Sequence, residues 1–140
     1  MNIDERVERV CRQAFPEWTF MLEDWHDADA VIDRSPLPAV VDLLPTGGNV
    51  SLRNGKARDT QHTSIAFLDR VARDADGGDS GEVYNRMKAA AMRFVAACNA
   101  SGLFEPVERY GYTVIYNQLA SIVTGVLLDI DLKAIGECER

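Results

Sequence analysis

Ile122-Val123-Thr124-Gly125-Val126-Leu127-Leu128-Asp129-Ile130-Asp131-Leu132 is the stretch that decides the fold. Ile122, Thr124, Val126, Leu128, Ile130 and Leu132 alternate through its eleven residues, with Gly125, Asp129 and Asp131 on the opposite parity. A period of two is the mark of a β-strand that buries one face. At about 3.3 Å per residue the strand approaches ~35 Å, long for 140 residues, and it is predicted to overhang its own sheet. Just upstream, residues Val107 to Tyr116 place Tyr110, Tyr112, Val114 and Tyr116 on one face, and Asn117-Gln118 is the expected bend. The last third of the chain therefore reads as a long hairpin.

Moving toward the N-terminus, the period changes. Val83, Met87, Ala90, Ala91, Phe94, Val95 and Cys98 fall on one helical stripe. The helix is predicted over Ser80 to Ala100, about 30 Å long. Asp79 with Glu82 three residues on resembles a capping box. Gly102 is placed to end the helix in a left-handed conformation. A second, shorter helix is expected over Asp4 to Phe15, where Ile3, Val7, Val10, Cys11 and Ala14 share a face and Pro16 stops the run.

Strands fill the interval between the helices. Trp18 to Leu22 is rich in strand formers, and Ala39-Val40-Val41-Asp42-Leu43-Leu44 is apolar on both alternating faces, as a covered strand is. Val31-Ile32 reads as a short added strand in an otherwise polar stretch from Glu23 to Ser35. Pro45-Thr46-Gly47-Gly48 reads as a turn, Asn49 to Arg53 as a strand, Asn54-Gly55 as a hairpin turn, and Thr63 to Leu68 as a further strand. Strands and helices do not alternate, so a doubly wound parallel sheet is a poor match. The expected fold is a single α+β domain over residues 1–140: a mostly antiparallel, mixed sheet with two helices packed on one face and a long C-terminal hairpin.

Composition narrows the function classes. The net charge is −7, from 15 Lys and Arg against 22 Asp and Glu, which argues against broad phosphate contact with nucleic acid. No run of about 18 apolar residues suggests a membrane span, and the polar start Met1-Asn2-Ile3-Asp4-Glu5-Arg6 is unlike a signal peptide. Cys11, Cys98 and Cys138 suggest neither a disulfide framework nor a zinc site. Cys11 and Cys98 fit buried positions, Cys138 an exposed tail, and the set fits a reducing compartment.

Each chemical constellation has a simpler rival. Asp74, Asp76 and Asp79 lie in an acidic, glycine-containing loop before the long helix, and oxygen-rich loops of this kind bind calcium when the ligands fall at fixed positions. Counting from Asp74, the pattern misses at Gly78, Asp79 and Asn85, and acids at a helix start are favoured by the dipole alone. His26 and His62 stand in no metal spacing, and Glu23, Asp24, Asp27 and Asp29 read as wet loop acids. No nucleophile motif, phosphate-binding loop or dinucleotide fingerprint is present, so no catalytic, cofactor or metal residue is assigned. The tyrosines of the closing hairpin fit core packing or a protein interface better than base stacking. Arg53, Lys56 and Arg58 are a more positive signal: three cations at a hairpin tip in an acidic chain. They read as solubilising charge or as a tip that meets an acidic partner.

The order of these segments resembles the tail-terminator and tail-completion proteins of long-tailed bacteriophages, in particular proteins encoded beside phage or prophage structural genes of Bacteroides-type bacteria. The resemblance is carried by the N-terminal helix, the aromatic strand, and Ile32-Asp33-Arg34-Ser35-Pro36-Leu37-Pro38-Ala39-Val40-Val41 leading into an apolar strand. It continues through the polar-tipped hairpin, Ile65-Ala66-Phe67-Leu68-Asp69, and the helix with Arg86-Met87-Lys88 that ends at Asn99-Ala100-Ser101-Gly102-Leu103-Phe104. Val123-Thr124-Gly125-Val126 in the closing hairpin completes it. It covers nearly the whole chain and describes a scaffold, with no catalytic residue to carry over.

The resemblance implies a non-enzymatic virion protein at the neck or tail end, with no cofactor, made in the host cytoplasm. Such proteins assemble as rings, often of six subunits, that cap the tail tube, dock to tube and head–tail connector proteins and let DNA pass without specific binding. Arg53, Lys56, Arg58, Asp74, Asp76 and Asp79 are then the expected interface residues. Two other readings stay open. One is a different small phage structural protein, for head completion or baseplate. The other is a cellular ligand-binding α+β module or an enzyme of unrecognised type, which would need a concave apolar pocket with convergent polar groups, such as one lined by His26, Asp27 and Arg34.

Overall fold

In the computed structural model, which describes residues 2–24, 27–28, 36–70, 77–118 and 123–135, the chain opens on a helix cap. The Asn2 side chain accepts from the Glu5 backbone N–H at 2.8 Å, and the Glu5 carboxylate accepts from the Asn2 N–H at 2.9 Å. This reciprocal pair satisfies two donors that a helix start leaves unpaired. Helix α1 follows over Ile3–Ala14. The remaining elements are β1 (Thr19–Asp24), β2 (Ala39–Arg53), β3 (Lys56–Arg70), α2 (Gly77–Ser101), β4 (Gly111–Gln118) and β5 (Val123–Lys133).

The strands form one five-stranded sheet in the order β1-β2-β3-β5-β4. β1 runs parallel to β2, and the other three pairings are antiparallel. Both helices lie on one face. Val7, Val10 and Cys11 of α1 and Met87, Phe94 and Cys98 of α2 pack against Val40, Phe67, Val126 and Leu128 of the sheet. The fold is α+β with a mixed sheet, as the periodicities predicted. The other face carries its own apolar cluster, with Met21, Val41, Ala66, Leu68, Ile115 and Val123 packed with Ala28. Being covered on both sides, β3 buries Ile65, Ala66, Phe67 and Leu68 in succession.

Arg6 ties α1 to the far end of the sheet. Its Nη1 donates to the Leu103 carbonyl at 2.6 Å and to the Ile135 carbonyl at 2.9 Å. Gly102 takes φ +76° after α2, the left-handed conformation expected there.

Several expected boundaries are corrected. Pro45 to Gly48 does not turn the chain: β2 runs on through it as one fifteen-residue strand. Leu43 pairs with Ser64 and Gly47 with His62, so four residues of advance on β2 match two on β3. This bulge accommodates Pro45, which has no N–H to give a ladder. β5 does not overhang, because all of Val123–Lys133 pairs with Thr60–Arg70 of β3. Helix α2 starts at Gly77, which puts Asp79 inside the first turn instead of at the cap. β4 starts at Gly111 and not at Val107, because the Asn99 side chain takes both the N–H and the carbonyl of Val107. Asn117-Gln118 belongs to β4. The expected strand at Val31-Ile32 lies outside the described residues.

Candidate functional site

The element that overhangs is the β2–β3 hairpin. β1 ends where Asp24 meets Leu44, and β5 ends where Lys133 meets Thr60. From Asn49 to Asp59, β2 and β3 therefore pair, among the described residues, only with each other, closing on Arg53 opposite Lys56. Asn54 at φ 54° and Gly55 at φ 76° form the tip, the pair of positive values a two-residue hairpin turn needs. At about 3.3 Å per residue this arm reaches roughly 20 Å beyond the sheet. Every residue from Gly47 to Asp59 is exposed.

The two faces of the arm differ. Residues opposite one another across an antiparallel pair share a face. Ser51, Arg53, Lys56 and Arg58 share one, and with Lys133 they line an open depression of about 580 Å³. Arg58 is partnered, since its Nη1 donates to Glu105 at 2.5 Å. The other face carries Val50, Leu52 and Ala57, with Leu52 79% and Val50 60% exposed. An isolated two-stranded hairpin is marginally stable in water, and one with a bare apolar face more so. The structure thus brings the predicted cations Arg53, Lys56 and Arg58 together. The apolar face behind them is an addition to the sequence reading, although Val50 and Leu52 at alternate positions of a strand signal it.

Of the predicted acids, Asp74 and Asp76 lie outside the described residues, as does the Asp79 side chain. His26 and Arg34 of the ligand-pocket reading, and Cys138, also lie outside them. Burial pushes the Cys98 thiol up to about 12 and the Cys11 thiol higher still, so neither is a thiolate at neutral pH. Among the described residues no helix is long and apolar enough to cross a membrane.

A polar surface lies on the sheet face away from the helices. His62 Nδ1 hydrogen-bonds the Asp131 carboxylate, and Ser64 Oγ donates to Asp129 at 2.9 Å. With Arg109 and Tyr110 these residues line an open depression of about 660 Å³. The residue types are those of a hydrolytic triad, but the serine proton is committed to Asp129 and not to the histidine, so no relay is assembled. The signal for it was two period-two pairs, 62/64 and 129/131, whose meeting depends on register.

At the root of the arm sits a residue the sequence reading passed over. Asp42 lies on the helix side of β2, fully buried, and neither carboxylate oxygen has a hydrogen-bond partner. Burial, then the neighbouring Asp4 carboxyl, pushes Asp42 up to about 9. Two carboxylates offer only acceptors to one another, so the pair is satisfied when it holds a proton. Gln61 donates to Asp4 at 2.9 Å from the adjacent strand. At the β4 edge of the sheet, Lys88 Nζ lies 4.7 Å from the Tyr112 ring centre, and hydrogen bonding to Lys88 and Tyr84 holds the Tyr112 hydroxyl below its ordinary range.

No protein-family model matches the chain, and no curated protein matches it in sequence.

Proposed function

We propose that this protein works by self-assembly, as a non-enzymatic virion component that forms a ring at the neck or tail end of a long-tailed phage. In that role it caps the tail tube and docks to tube and head–tail connector proteins, while DNA passes through without specific binding. The observation that carries the reading is the arm. A hairpin that leaves Leu52 and Val50 in water, with Arg53 and Lys56 on its reverse, has little reason to project roughly 20 Å unless another surface receives it. A ring requires a head-to-tail contact between two different surfaces of the same chain, and a projecting arm supplies one of them. The segment order quoted above is the second support.

The test is the mass of the purified chain by size exclusion with light scattering, across a wide concentration range, followed by negative-stain microscopy. Closed rings of several copies are expected. A monomer at every concentration, alone and with a tail-tube protein, overturns the reading.

A further inference from the structure

The arm has a matching surface at one edge of its own sheet. β1 is an edge strand, paired with β2 on one side and, among the described residues, with no strand on the other. Its backbone groups on that side are a template for strand addition. Leu22 is 41% exposed there and Leu44 beside it 37%. Both lie on the helix side, because Leu22 sits opposite Asp42, two residues before Leu44 on β2. Glu23, opposite Leu43, lies on the other side, whereas Asp24, opposite Leu44, returns to the helix side; Asp27 comes three residues after Asp24.

The arm has the same sidedness. Val50 and Leu52 pair with Asp59 and Ala57, which alternate in phase with the helix-side residues Gln61 and Thr63. Arg53 and Lys56 are on the reverse. If the arm continues the β1 edge of another molecule with its Val50 and Leu52 side turned to that molecule's helices, apolar residues fall beside Leu22 and cations fall beside Glu23. The arm does not serve its own β1, since Val50 and Leu52 lie six and eight residues beyond Leu44 along β2, pointing away. The other sheet edge, β4, is a poorer match. Tyr112 and Val114 are exposed there, but Lys88 lies over Tyr112, and Glu108 does no more than offset Arg109.

We propose that the arm of one copy adds as a strand to the β1 edge of the next. Leu52 and Val50 pack beside Leu22 and Leu44, and Arg53 and Lys56 face Glu23, with Asp27 beyond the end of β1. This deepens the assembly reading and rests on it. The contact joins two different surfaces, so it repeats from copy to copy until rotation closes a ring.

The experiment is a charge swap read by light scattering. One variant carries Arg53→Glu and Lys56→Glu, and another carries Glu23→Lys and Asp27→Lys. These side chains are solvent-accessible, and unchanged circular dichroism and melting temperature establish that each variant folds. Each variant is expected to run as a monomer where the wild type assembles, and a chain with all four substitutions is expected to regain wild-type assembly. A wild-type oligomer that both variants still form overturns this contact alone, as does a fourfold variant that stays monomeric. A wild-type monomer overturns the assembly reading and this contact with it.

Discussion

Replacing Asp42 by asparagine tests the most unusual energetic feature of the fold. The folded protein holds the Asp42 proton up to about 9, while the unfolded chain releases it at the ordinary 3.8. Between those values the folded state binds more protons than the unfolded state, so stability falls as pH rises. Each pH unit in that window is worth about 1.4 kcal/mol. From pH 5 to pH 8 the wild type should lose about 4 kcal/mol through this one group. An asparagine side chain at this position keeps the shape, carries no charge and offers Asp4 an N–H donor. The Asp42→Asn variant should therefore lose none of that stability, and its advantage over the wild type should widen by about 4 kcal/mol across the same range. The assay is urea unfolding followed by circular dichroism at pH 5, 6.5 and 8. Titrating groups away from Asp42 are common to both proteins and cancel in the difference. Parallel stability curves for the two proteins would refute the reasoning, because they would mean that Asp42 is ionised in the fold at neutral pH.

Two further predictions concern the scaffold. Arg6→Met keeps the aliphatic packing of α1 but takes the Arg6 donor from the Ile135 carbonyl and leaves the Leu103 carbonyl with the Ile135 N–H alone, and should lower stability by about 2 kcal/mol in urea unfolding at pH 7, where an unchanged midpoint would show the clamp to be idle. A Cβ at Gly125 would stand 1.8 Å from the Phe67 carbonyl oxygen, so Gly125→Ala should cost about 3 kcal/mol or prevent folding, and a wild-type melting curve would contradict the close β3–β5 approach.

Local periodicity made much of the fold legible. The stripes of α1 and α2 and the alternation of β5 each follow from residues close in sequence, and each element lies within three residues of the bounds its pattern set. The Asn54-Gly55 tip and the left-handed Gly102 are likewise local, since they depend on backbone conformations few residues adopt. The cap at Asn2 is equally local, with Glu5 three residues on, although the sequence reading began its helix later, at Asp4.

What the sequence could not decide is which segments become neighbours. An eleven-residue β5 overhangs or not according to the length of its partner, and β3 turned out to match it along its whole span. Pro45 to Gly48 has the composition of a turn, yet pairing with β3 on either side holds it in a bulged strand. Asp42 sits in an apolar run that looks like an ordinary covered strand, and it is burial in the assembled core, with Asp4 of α1 beside it, that makes it a carboxyl that must hold its proton. The same holds for the arm. Its residues and its charges are written in the chain, but its projection exists only because β1 stops at Asp24 and β5 stops at Lys133. Side-chain patterning sets what each strand buries. Where strands end against one another, and so which backbone edges and apolar faces remain for a partner, is settled by long-range pairing in the assembled sheet.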